Sequence, residues 1–142
     1  MDKFEEACEW VKYSDNDLTA VNQLITHHPI QIEIVCYLCQ QSAEKALKSF
    51  WVFQGVRPPK THDLSLLLTE CMKHDTEFNN LVNECIRLNI YASQPRYPFG
   101  LSLIDTDMRK AIEDCTKISE FTKTMIYPRT SESDCEDLCN VE

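Results

Sequence analysis

Apolar residues recur along this chain at helical spacing. Phe4, Ala7, Cys8, Val11, Leu18, Val21, Leu24 and Ile25 make a first stripe, which predicts a helix over residues 2–26 with a weak spot at Ser14-Asp15-Asn16. His27-His28-Pro29 closes it, because a residue before proline leaves the α region. A second and wider stripe, Ile32, Val35, Cys36, Cys39, Ala43, Ala46, Leu47, Phe50, Trp51 and Phe53, predicts a helix over 30–54 that lies at the centre of a bundle. Gly55 is expected to cap its end, and Val56-Arg57-Pro58-Pro59-Lys60 to form a stiff connection. A short third helix is expected from 61 or 62 to 73, with Thr61 as its cap. The fourth is expected over 77–92, with Phe78, Leu81, Val82, Cys85, Ile86 and Ile90 inward, before Ser93-Gln94-Pro95-Arg96-Tyr97-Pro98-Phe99-Gly100 breaks it. The fifth is expected over 104–125, capped near Asp105. Short links between helices favour antiparallel neighbours. The fold class is therefore all-α: an antiparallel up-and-down bundle of four long helices plus one short helix, over residues 1–126.

Composition agrees with that pattern. The 142 residues fit one domain, and only Gly55 and Gly100 are glycines, against a usual ~7%. Folds built on many tight turns are thereby disfavoured. The net charge is −9, and the last fourteen residues, from Arg129, hold five acids against one base. That segment, aperiodic and acidic from about Tyr127, is expected to be a disordered tail over 127–142. The acidic remainder argues against a broad nucleic-acid surface, which needs clustered lysine and arginine. The charged, amphipathic start is unlike a secretory leader, and no apolar run approaches the ~20 residues of a membrane span. A reduced, cytoplasmic protein is expected, with no membrane contact, and with most of the eight cysteines acting as small buried hydrophobes.

The candidate chemistry lies at three places. Gln41 and Lys45, four apart, share one helix face, as do Glu44 and Lys48. Either these form a surface ion pair with snorkelling lysines, or a polar strip faces a cleft or a dimer seam. Arg57 and His62 form Arg-x4-His: an arginine can hold phosphate by a bidentate fork, and a histidine can move protons near neutral pH. The plainer reading of His62 is an early helix residue bonding local backbone, and that of Asp63 a carboxylate at the positive end of a helix dipole. Arg96 and Tyr97 sit between two prolines, where an arginine is either an anion ligand or a cap for helix-four carbonyls. Cys36-x-x-Cys39 lacks the second ligand pair of a zinc site and is read as core. Cys135 and Cys139 fall in the tail. No metal site and no cofactor is expected, and no Gly-rich phosphate loop or serine nucleophile motif is visible.

Trp10 followed by Asp17-Leu18, the run Gln40-Gln41-Ser42-Ala43-Glu44-Lys45-Ala46-Leu47-Lys48, then Lys60-Thr61-His62-Asp63-Leu64 and Arg96-Tyr97-Pro98 fall in an order and spacing that resembles the HEPN family, the higher eukaryotes and prokaryotes nucleotide-binding domain. The resemblance covers about residues 1–126. It implies an antiparallel helical bundle, frequent homodimers, and pairing with a minimal nucleotidyltransferase in toxin–antitoxin-like modules. One branch of the family consists of metal-independent ribonucleases with Arg-x4–6-His late in the bundle. Here the positions so spaced from Arg96 are Leu101, Ser102 and Leu103, so that signature is incomplete. The leading expectation is a non-catalytic domain that binds a nucleotide, an RNA phosphate or a nucleotidyltransferase partner. Arg96 would hold phosphate, Tyr97 would stack on a base, Lys45 would add charge beside Gln41, and His62 and Asp63 would orient the ligand or the third helix. The alternatives are an endoribonuclease toxin using Arg57 or Arg96 with His62, and a pure oligomerisation module.

Overall fold

Residues 1–93 and 102–127 are described by the structure, a computed structural model. Its helices are α1 (Lys3–Leu24), α2 (Ile32–Phe53), α3 (Leu64–His74), α4 (Val82–Asn89), which continues from a 3-10 segment (Thr76–Leu81), and α5 (Asp105–Ile126). Among the described residues there is no strand, and no helix is long and apolar enough to cross a membrane. The all-α fold expected from the pattern is the one observed. Arg96, Tyr97 and the tail beyond Tyr127 lie outside the described residues.

The central helix is α2. It packs along α1 on one side and α5 on the other, with α3 and α4 closing the bundle. Its buried side chains run from Val35 to Val52, so it is covered nearly all round, as its wide apolar stripe requires. Phe50 stacks on Phe78 at 4.5 Å between ring centroids, and Phe78 meets Phe121 edge-on at 5.0 Å. This column ties α2 to α5 through the 3-10 segment. The α2 backbone ends at Gln54, and Gly55 follows with φ of +79°, the left-handed step that glycine takes without a Cβ clash.

Local chemistry moved several boundaries. The weak spot expected in α1 is absent. Ser14 is buried, its hydroxyl 2.7 Å from the Ser42 carbonyl, and the Ser42 hydroxyl returns a bond of 2.9 Å to the Ser14 carbonyl. A small hydroxyl satisfied across the α1–α2 contact does not break a helix. At α3 the cap is Asp63, not Thr61. Its carboxylate accepts from the Ser65 and Leu66 amides at 3.0 and 3.3 Å, so the helix starts two to three residues later than expected. At α5 the Asp107 carboxylate accepts from the Ile104 amide at 2.9 Å, which sets the start at Asp105.

The expected fourth helix is two pieces. The tighter 3-10 turn puts Phe78 and Leu81 on one face, and Cys85 and Leu88 continue it at α-helical spacing, all four fully buried. Ile86 and Ile90 are thereby turned outward, 56% and 51% exposed, contrary to the inward stripe expected. Tyr127, assigned to the tail, packs its ring edge-on against Phe4 at 6.1 Å.

Among the described residues, Cys36, Cys39, Cys71, Cys85 and Cys115 are free and buried, as the core reading of Cys36-x-x-Cys39 requires. Burial pushes the Cys36 and Cys85 thiols up to about 12, which keeps them protonated and inert. Cys8 is buried against Phe4 and Tyr127 but disulfide-bonded, so at that position the core reading holds and the reduced reading does not.

Candidate functional site

The candidate site is built on the polar groups of α2 and the connection leading into α3. Gln40, Glu44 and Lys48 are spaced by four, so they stack along one face of α2. All three are buried, and each has found a partner. The Gln40 side-chain amide donates to the His62 backbone carbonyl at 2.8 Å and accepts from the Gln41 side chain at 2.7 Å. Glu44 is shared. One carboxylate oxygen lies 2.7 Å from His62 Nδ1, and the other accepts from Lys48 Nζ at 3.1 Å. Lys48 Nζ also stands 5.9 Å from the centre of the Trp10 ring, within range of a cation–π attraction.

Of the two readings left open for Glu44 and Lys48, the surface ion pair does not hold. The lysine and carboxylate are 8% and 6% exposed at their side chains. A charge so placed is tolerable only because its counter-charge and hydrogen bonds are in place. Among the described residues no buried side-chain nitrogen or oxygen lacks a partner.

His62 is the outlet of the network. Its side chain is 67% exposed, while its ring is fixed on one edge. A carboxylate only accepts, so the proton between the two sits on Nδ1. That leaves Nε2 as the ring atom free to meet a ligand. The expectation that His62 bonds its own local backbone is thus corrected: it bonds a carboxylate eighteen residues away. The signal was present in the joint appearance of Gln-Gln-x-Ala-Glu-Lys and Lys-Thr-His-Asp. Glu44 was noted only as the partner of Lys48 and Gln40 only within the family run, because a helix drawn alone does not say which of its polar residues face a neighbour.

Asp63 holds the next position. Besides capping α3, it accepts from the Asn89 side-chain amide at 3.0 Å, while the Asn89 oxygen accepts from the Leu64 amide at 2.9 Å. The Asn89 bond, aided by the Leu66 and Ser65 amides, holds the Asp63 carboxyl below the ordinary carboxylate range. The start of α3 is therefore pinned by Gln40 and Glu44 from α2 and by Asn89 from the end of α4. The backbone on either side of His62 has little freedom.

The remaining predicted residues divide. Lys45 pairs with Asp17 of α1 at 2.7 Å, a bond that fixes α1 against α2 rather than offering a free cation. Gln41 is half-buried and donates to Gln40. Arg57 is exposed, beside Pro58, and lines a cleft of about 500 Å3 with Lys3. Gln41, Glu44, His62 and Asp63 thus belong to one continuous network, whereas Arg57 lies in a separate cleft. From Gln54 through His62 the chain holds no acid and carries Arg57, Lys60 and His62. Among the described residues no group of three His, Cys, Asp or Glu is placed to hold a metal ion.

A family model described as the HEPN domain matches residues 7–125. No curated protein and no solved structure matches the chain.

Proposed function

Because the chain belongs to the HEPN domain family, we propose that it is a non-catalytic binding domain for a nucleotide, read by the connection between α2 and α3. The observation that carries this reading is the setting of His62: an exposed imidazole whose Nδ1 is held at 2.7 Å by the buried Glu44. A ring fixed on one edge presents Nε2 in a defined direction, so little orientational freedom is lost on binding. Gln41, through Gln40, and Asp63, as the α3 cap, hold the backbone around His62, while Lys45 would add positive charge from its pair with Asp17. Arg96 and Tyr97 would add ligand contacts, as the family resemblance implies. Homodimerisation and pairing with a minimal nucleotidyltransferase belong to the same proposal as family traits.

The test is calorimetric titration of the purified protein with ATP, GTP and AMP, wild type beside His62→Ala. Saturable binding that weakens about tenfold or more in the variant, with the unfolding transition retained, is the expected result. Equal affinity in both proteins would remove His62 from the site.

A second reading is favoured by the same pair. A histidine backed by a carboxylate is also the arrangement that moves a proton in acid–base catalysis, so a metal-independent ribonuclease is the runner-up. Incubation with structured RNA in EDTA distinguishes it. Cleavage lost in His62→Ala would make the protein an enzyme, and intact RNA at enzyme concentrations near those of substrate leaves the binding reading.

A further inference from the structure

Most of the described cations lie against a carboxylate, Lys73 against Glu70 and Lys110 against Glu113 among them. Lys45 lies against Asp17, Lys48 against Glu44, Arg87 against Asp114, Lys117 against Glu84, Lys123 against Asp15 and Arg109 against Asp105. Lys3, Arg57 and Lys60 are exposed, and among the described residues none of them has a carboxylate within 4.0 Å. In a chain with 23 acids against 14 bases, cations without a carboxylate partner are the minority. Lys3 opens α1, while Arg57 and Lys60 flank the Pro58-Pro59 pair that follows α2.

Two of them share a cleft. Lys3 and Glu6 of α1 face Val52, Gly55, Arg57 and Pro58 across about 500 Å3, a volume within the ~300–1,000 Å3 of small-molecule sites. Gly55 shapes it. With φ at +79°, the chain turns there as other residues rarely can. A Cβ on Gly55 would come within 3.2 Å of both Cδ and Nζ of Lys3. The lysine side chain thus lies close over the turn, and a side chain at Gly55 would press it away by a few tenths of an ångström. Pro58 restricts the backbone that carries the arginine.

We infer that this cleft is an anion site for the phosphates of a phosphorylated small molecule. Arg57 supplies the planar fork that phosphate oxygens accept. Lys3 supplies a point charge from the opposite wall, and Lys60 adds charge beyond the prolines. Glu6, in the same cleft, opposes the anion and limits its affinity. The site uses none of the residues of the His62 network, so either assignment can fail alone.

The experiment is a two-dimensional amide NMR titration with sodium pyrophosphate at about 0.15 M ionic strength, where exposed charges are screened beyond roughly 8 Å. Wild type is compared with Arg57→Glu, Glu6→Gln and His62→Ala. Saturable movement of the Gly55, Val56 and Arg57 amides is expected in wild type and in His62→Ala. Affinity should fall about tenfold or more in Arg57→Glu and rise in Glu6→Gln. Arg57 is exposed, so its replacement should leave the unfolding midpoint nearly unchanged, and the same samples check this. Linear, unsaturable shifts, or equal affinity in Arg57→Glu, would overturn the anion site. Movement confined to residues around His62, and lost only in His62→Ala, would also overturn it while leaving the His62 reading intact. Movement at Gly55–Arg57 with nucleotide binding indifferent to His62→Ala would do the reverse.

Discussion

Two polar regions of this bundle lie within one stretch of chain and are built on opposite terms. Along α2, Gln40, Glu44 and Lys48 are buried, and each is hydrogen-bonded to a neighbour. Just past the end of α2, Arg57 and Lys60 are exposed and without ion pairs among the described residues. The sequence offered a candidate in each, Lys48 in a polar strip of the first and Arg57 as a phosphate fork in the second. The first, however, spends its charges on itself. A buried lysine and carboxylate that already satisfy each other have no surplus attraction for a phosphate, and separating them would leave an unpaired charge in the core. The second has desolvated nothing and satisfied nothing, so its charge is available. Between them stands His62, held by the first region and exposed like the second. Ligand chemistry in this fold is thus expected where the network ends, not where it is densest.

The sharpest way to break this comparison is Glu44→Ala. If the network is structural, the change strands Lys48 in the core and releases His62, and stability should fall by about 3–5 kcal/mol, read by urea denaturation. Combining it with Lys48→Met, which removes the stranded charge, should recover part of the loss. A single variant as stable as wild type would mean that the buried pair contributes nothing.

Asp63→Ala comes next. Loss of the α3 cap should cost about 1 kcal/mol, with an added cost from the unpaired Asn89 amide. The same carboxyl sets an acid dependence. Its folded pKa lies below its ordinary 3.8, so its contribution is fully present above that value and is lost as the pH falls through the lowered one. Acid unfolding curves of wild type and Asp63→Ala should therefore converge at the low end of the scale and separate above it. Curves that stay parallel throughout would count against the cap.

A smaller effect is expected at Lys45 and Asp17, 26% and 15% exposed. A double-mutant cycle on this pair should give a coupling of roughly 0.2–1 kcal/mol, well short of the Glu44–Lys48 pair. The smallest effect belongs to the second region. Arg57→Ala and Lys60→Ala should each change stability by no more than about 0.5 kcal/mol while changing anion binding. A large loss of stability from either would mean that these cations are structural after all.

Much of the fold was legible because it depends on local pattern. Only two glycines, long apolar stripes and the stop at Gly55 led to an all-α bundle and to the centrality of α2. The errors fell where two elements meet. Ser14 looked like a break until Ser42 was found opposite it. Thr61 looked like the cap until Asn89 and the α3 amides were seen to converge on Asp63. Ile86 and Ile90 looked like core because a uniform helix was assumed where the chain takes a 3-10 turn. For the site, Gln41, Lys45, His62 and Asp63 were visible as ligand candidates, whereas Glu44 was seen only as the partner of Lys48 and Gln40 only within the family run, since their importance comes from what lies across the helix interface. Arg96 and Tyr97 fall outside the described residues and keep their status as proposals.

By itself the sequence determined the helices, their order and the family, because hydrophobic periodicity, glycine scarcity and short motif spacing act within one element or along the chain. Tertiary structure alone decided which polar side chains are spent and which are free. That depends on the distance between charges brought together from remote positions, as when Glu44 meets His62, or Lys3 is laid across Gly55 beside Arg57. No one-dimensional pattern records that distance, and the energy of a charge depends on it and on the burial that accompanies it.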